Sequence, residues 1–175
     1  MAGHGVWVVT GASRGIGAAI ARLAVDAGHN VALIARGESV MDLAQSLGES
    51  AAGFQCDVAD PASVSEAVDA IVARFGRVEV LVNNAGVHRG GKIHRLTDEA
   101  WQEVLQVNLT GAMNMTRAAV PHMSEGCAVV NVGAVVGFRG FPGDSAYASS
   151  KAGLSGLTKA VSYTHLTLPT TYTVE

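Results

Sequence analysis

Short apolar segments alternate along the chain with longer stretches in which apolar residues recur at helical spacing. The segments that predict strands are Val6–Thr10, Asn30–Ala35, Gly53–Val58, Val80–Asn83 and Ala128–Val132. The stretches that predict helices are Ile16–Ala27, Pro61–Phe75 and Asp98–Met123. Near-continuous apolar strands are typical of a parallel sheet whose two faces are both covered. The alternation therefore predicts an α/β fold with a doubly wound parallel sheet.

Composition and charge narrow the class of protein. The chain has 175 residues, of which 49% are hydrophobic and 15% charged, as expected of one packed domain. A net charge of -3 provides no basic stripe, so we expect no nucleic-acid partner. The start of the chain reads neither as a signal peptide nor as a membrane segment, and neither cysteines nor histidines show metal-ligand spacing. We expect a cytoplasmic protein with no metal and no membrane partner.

The last stretch of the chain differs in character from the rest. Residues 161–170 read Val-Ser-Tyr-Thr-His-Leu-Thr-Leu-Pro-Thr, which resembles a translated transposase sequencing adapter; a natural Thr-rich tail is the alternative. We therefore expect a domain over residues 1–160, truncated before the last strands of its sheet, and a non-native tail over 161–175. On this interpretation the final helix stops near Ala160, and the unpaired sheet edge makes the chain poorly stable.

A glycine-rich turn joins the first predicted strand to the first predicted helix. Glycines in such a turn allow backbone N–H groups to approach a pyrophosphate at the positive end of the helix. An ordinary strand-to-helix turn is the alternative, because one glycine motif is weak support. The cofactor-binding residues predicted in this turn are Thr10, Gly11, Ser13, Arg14, Gly15, Ile16 and Gly17.

The end of the second predicted strand bears on the choice of cofactor. NAD sites usually place a carboxylate there for the ribose 2′-hydroxyl, whereas this chain has Ala35 followed by Arg36. Together with Arg14, the Arg36 guanidinium suits a 2′-phosphate, which arginine binds in a bidentate fork. Two solvated surface charges are the alternative. The residues favour NADP over NAD.

Two further strand ends carry candidate cofactor residues. Asp57, followed by Val58, ends the third strand, where a carboxylate can accept the adenine amino group. Its alternative role is turn chemistry before Pro61. The fourth strand ends in Asn83-Asn84-Ala85-Gly86, whose small and amide side chains suit a cleft at the carboxyl ends of strands. As a bare string, this segment indicates no more than a turn.

Tyr147 and Lys151 are spaced one helical turn apart, so both side chains lie along one face of a helix. A free phenol titrates near pH 10 and needs a nearby positive charge, such as this ammonium, to act as an acid or base near neutrality. A surface pair is the alternative. Asn108 lies inside a long predicted helix, where its low helix propensity favours a kink or a polar relay.

These residues together resemble the short-chain dehydrogenase/reductase family. The resemblance rests on Thr10–Gly17, Asp57-Val58, Asn83–Gly86, Asn108 and the Tyr147/Lys151 pair, in the family's order and over residues 5–160. It implies a Rossmann-type three-layer sandwich and hydride transfer between NADP(H) and a ketone or secondary alcohol. The residues most resemble those of 3-oxoacyl-acyl-carrier-protein reductases, which implies a carrier-linked 3-oxoacyl thioester as one candidate substrate.

The resemblance also implies roles for single residues. Tyr147 is the general acid/base, Lys151 supports it and holds the nicotinamide ribose, and Asn108 helps to hold a water in a proton relay to Lys151. Asn84 and Gly86 flank the adenosine side, with Ala85 between them. Small residues along the Tyr147 helix, such as Ala152 and Gly156, match the helix that joins subunits, which implies a homo-oligomer.

One position departs from the family pattern. The carbonyl-orienting serine, thirteen residues before the tyrosine, is Ala134 here. Losing such a donor costs about 10²–10³ in rate, so a catalytically weak NADP-binding sensor or partner subunit is the alternative function. Ser145 fits its ordinary context and is not expected to replace it. His88 and His94 follow the fourth strand, at the edge of the substrate cleft or, as we expect, on the loop surface.

Overall fold

The computed structural model describes residues 5–165 and contains one parallel sheet. Its strands are β1 (Val6–Thr10), β2 (Asn30–Ala35), β3 (Ala51–Gln55), β4 (Val78–Asn83) and β5 (Ala128–Asn131). They lie in the order β3-β2-β1-β4-β5, and each neighbouring pair is parallel. Because the chain leaves β1 toward β2 and returns to its other side with β4, a crevice forms at the carboxyl ends of these strands.

Helices cover both faces of the sheet. They are α1 (Gly15–Asp26), α2 (Ser39–Leu47), α3 (Pro61–Phe75), α4 (Asp98–Leu105), α5 (Gly111–Ala119), α6 (Val136–Arg139) and α7 (Ser145–His165). Val8 of β1 packs in one buried cluster with Ile71 of α3 and Met115 of α5. The next residue, Val9, packs in a second cluster with Ala21 of α1. Alternate strand residues thus face opposite layers, which confirms the predicted doubly wound, three-layer architecture.

Several elements differ from the prediction: β4 begins two residues early, β5 ends one residue early, β3 is displaced and α2 was missed. β3 begins at Ala51 and ends at Gln55, so the predicted strand Gly53–Val58 was placed too late. The chain turns there because Asp57 Oδ1 accepts a hydrogen bond from Ala59 N at 3.0 Å. Helix α2 was not predicted, and it buries only two small apolar side chains, Val40 and Ala44.

The predicted helix Asp98–Met123 is interrupted. A π-helical turn over Gln106–Thr110 separates α4 from α5, and Val120–His122 forms a 3₁₀ turn. Asn108 lies in the middle of the π turn, which agrees with the irregularity expected there. The wider turn lets Gly111 approach Val58 so closely that a Cβ atom on the glycine would lie 2.6 Å from Val58 Cγ2.

Helix α7 continues past the predicted stop. It runs from Ser145 to His165 without a break at Ala160, so the expectation that the helix ends near Ala160 is wrong. Most of the predicted tail, residues 166–175, lies outside the described residues. Within residues 5–165, no helix has both the length and the apolar character needed to cross a membrane.

Candidate active site

A cleft of about 590 Å³ opens at the carboxyl ends of β1 to β4. Most of the residues predicted to bind the cofactor line this one cleft: Gly11, Ser13, Arg14, Gly15, Ile16, Arg36, Asp57, Val58, Asn84, Ala85 and Gly86. The structure adds neighbours that the sequence reasoning missed, including Gly37, Ser39, Cys56, Val87 and Val107. Those residues carry no motif, and only their positions next to strand ends pointed to them.

The glycine turn has the geometry that a bound phosphate requires. Gly11 and Gly15 have positive φ angles of 65° and 58°, which other residues adopt with strain. A Cβ atom on Gly17 would lie 2.5 Å from Gly11 O. Helix α1 starts at Gly15 without a side-chain cap, so its first N–H groups are available to an anion in the cleft. These features fit the pyrophosphate of a dinucleotide.

Thr10 lies beneath the cleft and does not line it. Its buried hydroxyl donates to Val82 O at 3.2 Å and accepts from the backbone N–H groups of Asn84 and Ala85, both at 3.0 Å. Asn84 Nδ2 donates in return to Thr10 O at 2.9 Å. Thr10 therefore fixes the glycine turn against the end of β4, and its contact with a cofactor is indirect.

The cleft is also lined by polar side chains that would suit the adenosine half of a dinucleotide. Arg14 and Arg36 are exposed at the cleft, and no carboxylate in residues 5–165 forms an ion pair with either of them. Asp57 lies where both interpretations placed it. One of its carboxylate oxygens accepts from Ala59 N in the turn, and the residue also lines the cleft. Burial raises the pKa of the neighbouring Cys56 thiol, which keeps this thiol protonated and weakly nucleophilic.

Lys151 is buried beside Tyr147. Only 7% of the lysine is exposed, and its Nζ atom donates to Val132 O at 2.7 Å and lies 5.7 Å from the centre of the Tyr147 ring. Burial lowers the pKa of the Lys151 ammonium below its ordinary value. Within the described part of the chain no carboxylate forms an ion pair with this ammonium.

Asn108 connects the cleft to Tyr147 through hydrogen bonds. Its Oδ1 atom accepts from Val87 N at 2.7 Å, and its Nδ2 atom donates to Val87 O at 2.9 Å and to Ser150 Oγ at 3.1 Å. Ser150 Oγ in turn donates to Tyr147 O at 2.7 Å. Asn108 makes no direct hydrogen bond to Lys151 in the described structure. It holds the segment after β4 against the helix that carries Tyr147.

Ala134 and Ser145 provide no hydroxyl to the cleft. Ala134 is half-buried just after β5, and its carbonyl accepts from Gly137 N at 3.0 Å. Ser145 Oγ is buried and has no hydrogen-bond partner among the described residues. That oxygen is closed off from solvent in this structure.

His88 follows β4 on an exposed loop, as predicted, and also contacts Tyr147. The two ring centroids are 5.2 Å apart with the planes at 78°, and His88 Nε2 lies 2.8 Å from Asp144 Oδ1. This neighbourhood was not predicted, because His88 and Asp144 are far apart in sequence and share no motif. His94 is exposed on a 3₁₀ turn over Ile93–Arg95. No group of three or more potential metal ligands occurs among residues 5–165.

Gly153 is the small residue of α7 that packs closely within the chain. A Cβ atom on Gly153 would lie 2.7 Å from Leu109 Cδ2, and one on Gly137 of α6 would lie 2.9 Å from Ala152 N. Gly156 alone among the glycines of α7 has open space around it. Gly153 thus serves the contact of α7 with the π turn, and Gly137 serves the contact of α6 with α7, whereas Ala152 and Gly156 are exposed.

The sequence is similar to many curated proteins. Residues 5–167 match the short chain dehydrogenase family. The chain is 38% identical over 160 residues to a 3-oxoacyl-[acyl-carrier-protein] reductase FabG of Staphylococcus aureus, covering 87% of this chain and 65% of the relative. It is 43% identical over 157 residues to carbonyl reductase family member 4 of Danio rerio, covering 88% and 66% of the two chains.

A second bacterial relative is similar to this chain to the same extent. The FabG reductase of Salmonella typhimurium is 38% identical over 157 residues, which cover 88% of this chain and 64% of the relative. The chain thus spans about two thirds of the length of these curated relatives. The family match extends over the whole sheet, the cleft and the Tyr147 helix, and the chain belongs to the short-chain dehydrogenase family.

Proposed function

We propose that this chain provides the cofactor site and the acid/base residues of an NADP-dependent ketone reductase. One observation carries the proposal: the cleft is joined through Val87, Asn108 and Ser150 to Tyr147, beside which lies a buried ammonium with no carboxylate partner among residues 5–165. A donor of this kind, next to a dinucleotide cleft, suits reduction of a carbonyl group.

Each half of the reaction has its own residues. The glycine turn and the strand ends that line the cleft would hold a nicotinamide dinucleotide, which when bound would supply a hydride to the carbonyl carbon. Tyr147 donates its phenolic proton to the carbonyl oxygen as that oxygen becomes negative, and in the reverse direction it accepts the proton. The Lys151 ammonium stabilises the phenolate that Tyr147 becomes, and Asn108 keeps the loop after β4 in contact with the Tyr147 helix.

The relatives suggest the substrate class. Their names describe reductases of 3-oxoacyl groups on an acyl carrier protein and of carbonyl compounds. We assign this chain a 3-oxoacyl or related ketone substrate, either free or carrier-linked. We also propose that the full-length protein is a homo-oligomer. We further propose that residues 1–160 form the reductase domain and that residues 161–175 are a non-native tail.

The cofactor preference follows from charge at the open end of the cleft. Replacing Arg36 by Gln removes a cation that suits a 2′-phosphate, so we expect NADPH binding to weaken by about tenfold, the size of one charge-assisted hydrogen bond. NADH lacks this phosphate, and its affinity should stay unchanged. Titration of cofactor fluorescence measures both affinities, and Arg22→Gln, on the same protein but away from the cleft, is the matched control. Equal losses for NADPH and NADH would contradict the assignment.

Replacing Lys151 tests whether the residue serves catalysis or the stability of the fold. Replacing Lys151 by Met should lower ketone turnover by about 10²-fold or more, because Tyr147 loses its neighbouring charge. The melting temperature should stay close to that of the parent, since removal of a buried ammonium offsets the lost bond to Val132 O.

The control for this change is Lys159→Met, an exposed lysine on the same helix, for which turnover should be unaffected. Thermal unfolding and NADPH oxidation with a ketone panel provide the two measurements. A large drop in melting temperature with Lys151→Met would assign the residue a structural role.

The second candidate function is an NADP-binding sensor or partner subunit. It is favoured by Ala134, which offers only a methyl group where a hydroxyl is expected. Tight NADPH binding without turnover of any ketone in the panel would support this function. Turnover that depends on Tyr147 would exclude it.

A further inference from the structure

Tyr147 has a second ionisable neighbour besides Lys151. The His88 ring meets the Tyr147 ring edge-on at 5.2 Å, and Asp144 Oδ1 holds His88 Nε2 at 2.8 Å. No described residue bonds the other ring nitrogen, Nδ1. The His88 side chain is 53% exposed, so a small molecule that reaches the phenol of Tyr147 also has access to this imidazole.

The position of His88 is fixed by two loops that are tied together. Gly91 N donates to Gly143 O at 2.8 Å, which joins the loop after β4 to the turn before α7. Gly90 lets the loops close around the pair, because a Cβ atom there would lie 3.1 Å from His88 Cε1 and 3.6 Å from Asp144 Oδ1. An imidazole oriented in this way by a carboxylate differs from a freely rotating surface histidine.

Carbonyl reduction needs more than one donor at the substrate oxygen. Negative charge develops on that oxygen, and each aligned donor contributes about 10²–10³ in rate. Tyr147 is one donor, while Ala134 and the enclosed Ser145 hydroxyl offer none. We propose that His88, oriented by Asp144, is a catalytic residue that donates a hydrogen bond from Nδ1 to the substrate carbonyl oxygen. This inference rests on the proposed function, because it assumes that Tyr147 protonates the same oxygen.

The hydrogen-bond pattern sets the protonation state that this role requires. Asp144 accepts from Nε2, so Nδ1 can donate only when the ring is an imidazolium. The charged groups around the ring are Asp144, Tyr147 and Arg89, whose Nη1 donates to His88 O and whose Nη2 pairs with Glu103. The role therefore requires the cationic form of the His88 ring, which the neutral amide of His88→Gln cannot replace.

Kinetics of the full chain test the role of the donor. With NADPH and ethyl acetoacetate, His88→Ala should lower kcat by about 10²-fold while NADPH affinity stays unchanged. Ala134→Ser should raise kcat far more in the His88→Ala background than in the parent, because a hydroxyl then replaces the missing donor. Ser145→Ala is the control and should leave kcat unchanged. Unchanged kcat in both His88→Ala and Asp144→Asn would overturn the inference.

A spectroscopic measurement separates this inference from the proposed function. Imidazole ¹⁵N spectra of the chain with NADP⁺ and ethyl acetoacetate report on a ternary complex that cannot react, and the His88 signals are assigned by their loss in His88→Gln. A shift of Nδ1 when the ketone is added supports the inference. No shift despite ketone binding overturns it and leaves the proposed function standing. Ketone turnover that is insensitive to Tyr147→Phe overturns the proposed function, and this inference with it.

Discussion

Replacing Tyr147 by Phe should lower ketone turnover by about 10²–10⁴-fold, the range that a positioned general acid contributes. The change removes one hydroxyl and keeps the aromatic ring. The edge contact of the ring with His88 and its contact with Lys151 Nζ therefore remain. NADPH should bind with unchanged affinity, because Tyr147 does not line the cleft that holds the glycine turn. The loss should appear in kcat and leave cofactor affinity untouched.

The matched control is Tyr163→Phe, the same chemical change on the same helix α7. Initial rates of NADPH oxidation with ethyl acetoacetate and a fluorescence titration of NADPH distinguish chemistry from binding. If Tyr147→Phe keeps its turnover, then proton transfer comes from another group. If it loses cofactor affinity instead, Tyr147 contributes to binding and its acid/base role is unsupported.

Replacing Gly17 by Ala should disrupt the cofactor site. A Cβ atom at this position would lie 2.5 Å from the backbone oxygen of Gly11 and 2.6 Å from Asn84 Nδ2, and the contact with the Gly11 backbone cannot be relieved by a change of rotamer. The glycine turn must open to admit the methyl group. We expect NADPH affinity to fall by at least about tenfold and the free energy of unfolding to fall by about 1–3 kcal/mol.

Gly156→Ala is the matched control, because Gly156 is also helical but has open space around it. This change should leave NADPH binding unaffected and raise the free energy of unfolding by about 0.5–1 kcal/mol, the helix propensity difference between the two residues. Chemical denaturation and NADPH titration of both variants provide the comparison. Normal NADPH affinity in Gly17→Ala would show that the turn is not the phosphate site.

The parallel sheet was predictable because its pattern is strong and local. β1 and β2 have their predicted bounds, since four of the six residues of β2 are fully enclosed and the strand therefore reads as an apolar run. Helix α3 is also as predicted, because the Asp60 side chain accepts from Ala62 N and Pro61 begins the helix. In these elements the local signals agree with the tertiary contacts.

The differences arise where tertiary contacts override a local pattern. Apolar spacing over Asp98–Met123 suggests one helix, but the bonds of Asn108 to Val87 and Ser150 favour a π turn in the middle. α2 escaped prediction because its buried residues are few and small. The end of a helix is also poorly encoded when no glycine or proline marks it, as in α7.

For the candidate site, sequence identified residue types and structure identified neighbours. The predicted turn residues and strand ends meet in one cleft because parallel strands end at the same edge. The hydrogen bonds of Thr10 beneath the cleft could not be predicted, because the alternation of side chains along a strand does not reveal which hydroxyl bonds to backbone groups. The pairing of His88 with Asp144 spans 56 positions in sequence and depends on two loops, for which no periodicity exists.

The Thr10 hydroxyl has a consequence for the order in which the protein assembles. Its bonds to Asn84 and Ala85 join segments 74 and 75 residues apart in the chain. The glycine turn is therefore not a local motif that forms once its own residues have left the ribosome. It becomes rigid only after β4 has been synthesised and has inserted beside β1, a non-local step that pays loop-closure entropy. A nascent chain that stops before Asn84 should thus have no cofactor affinity, and cofactor can stabilise the fold only after that step.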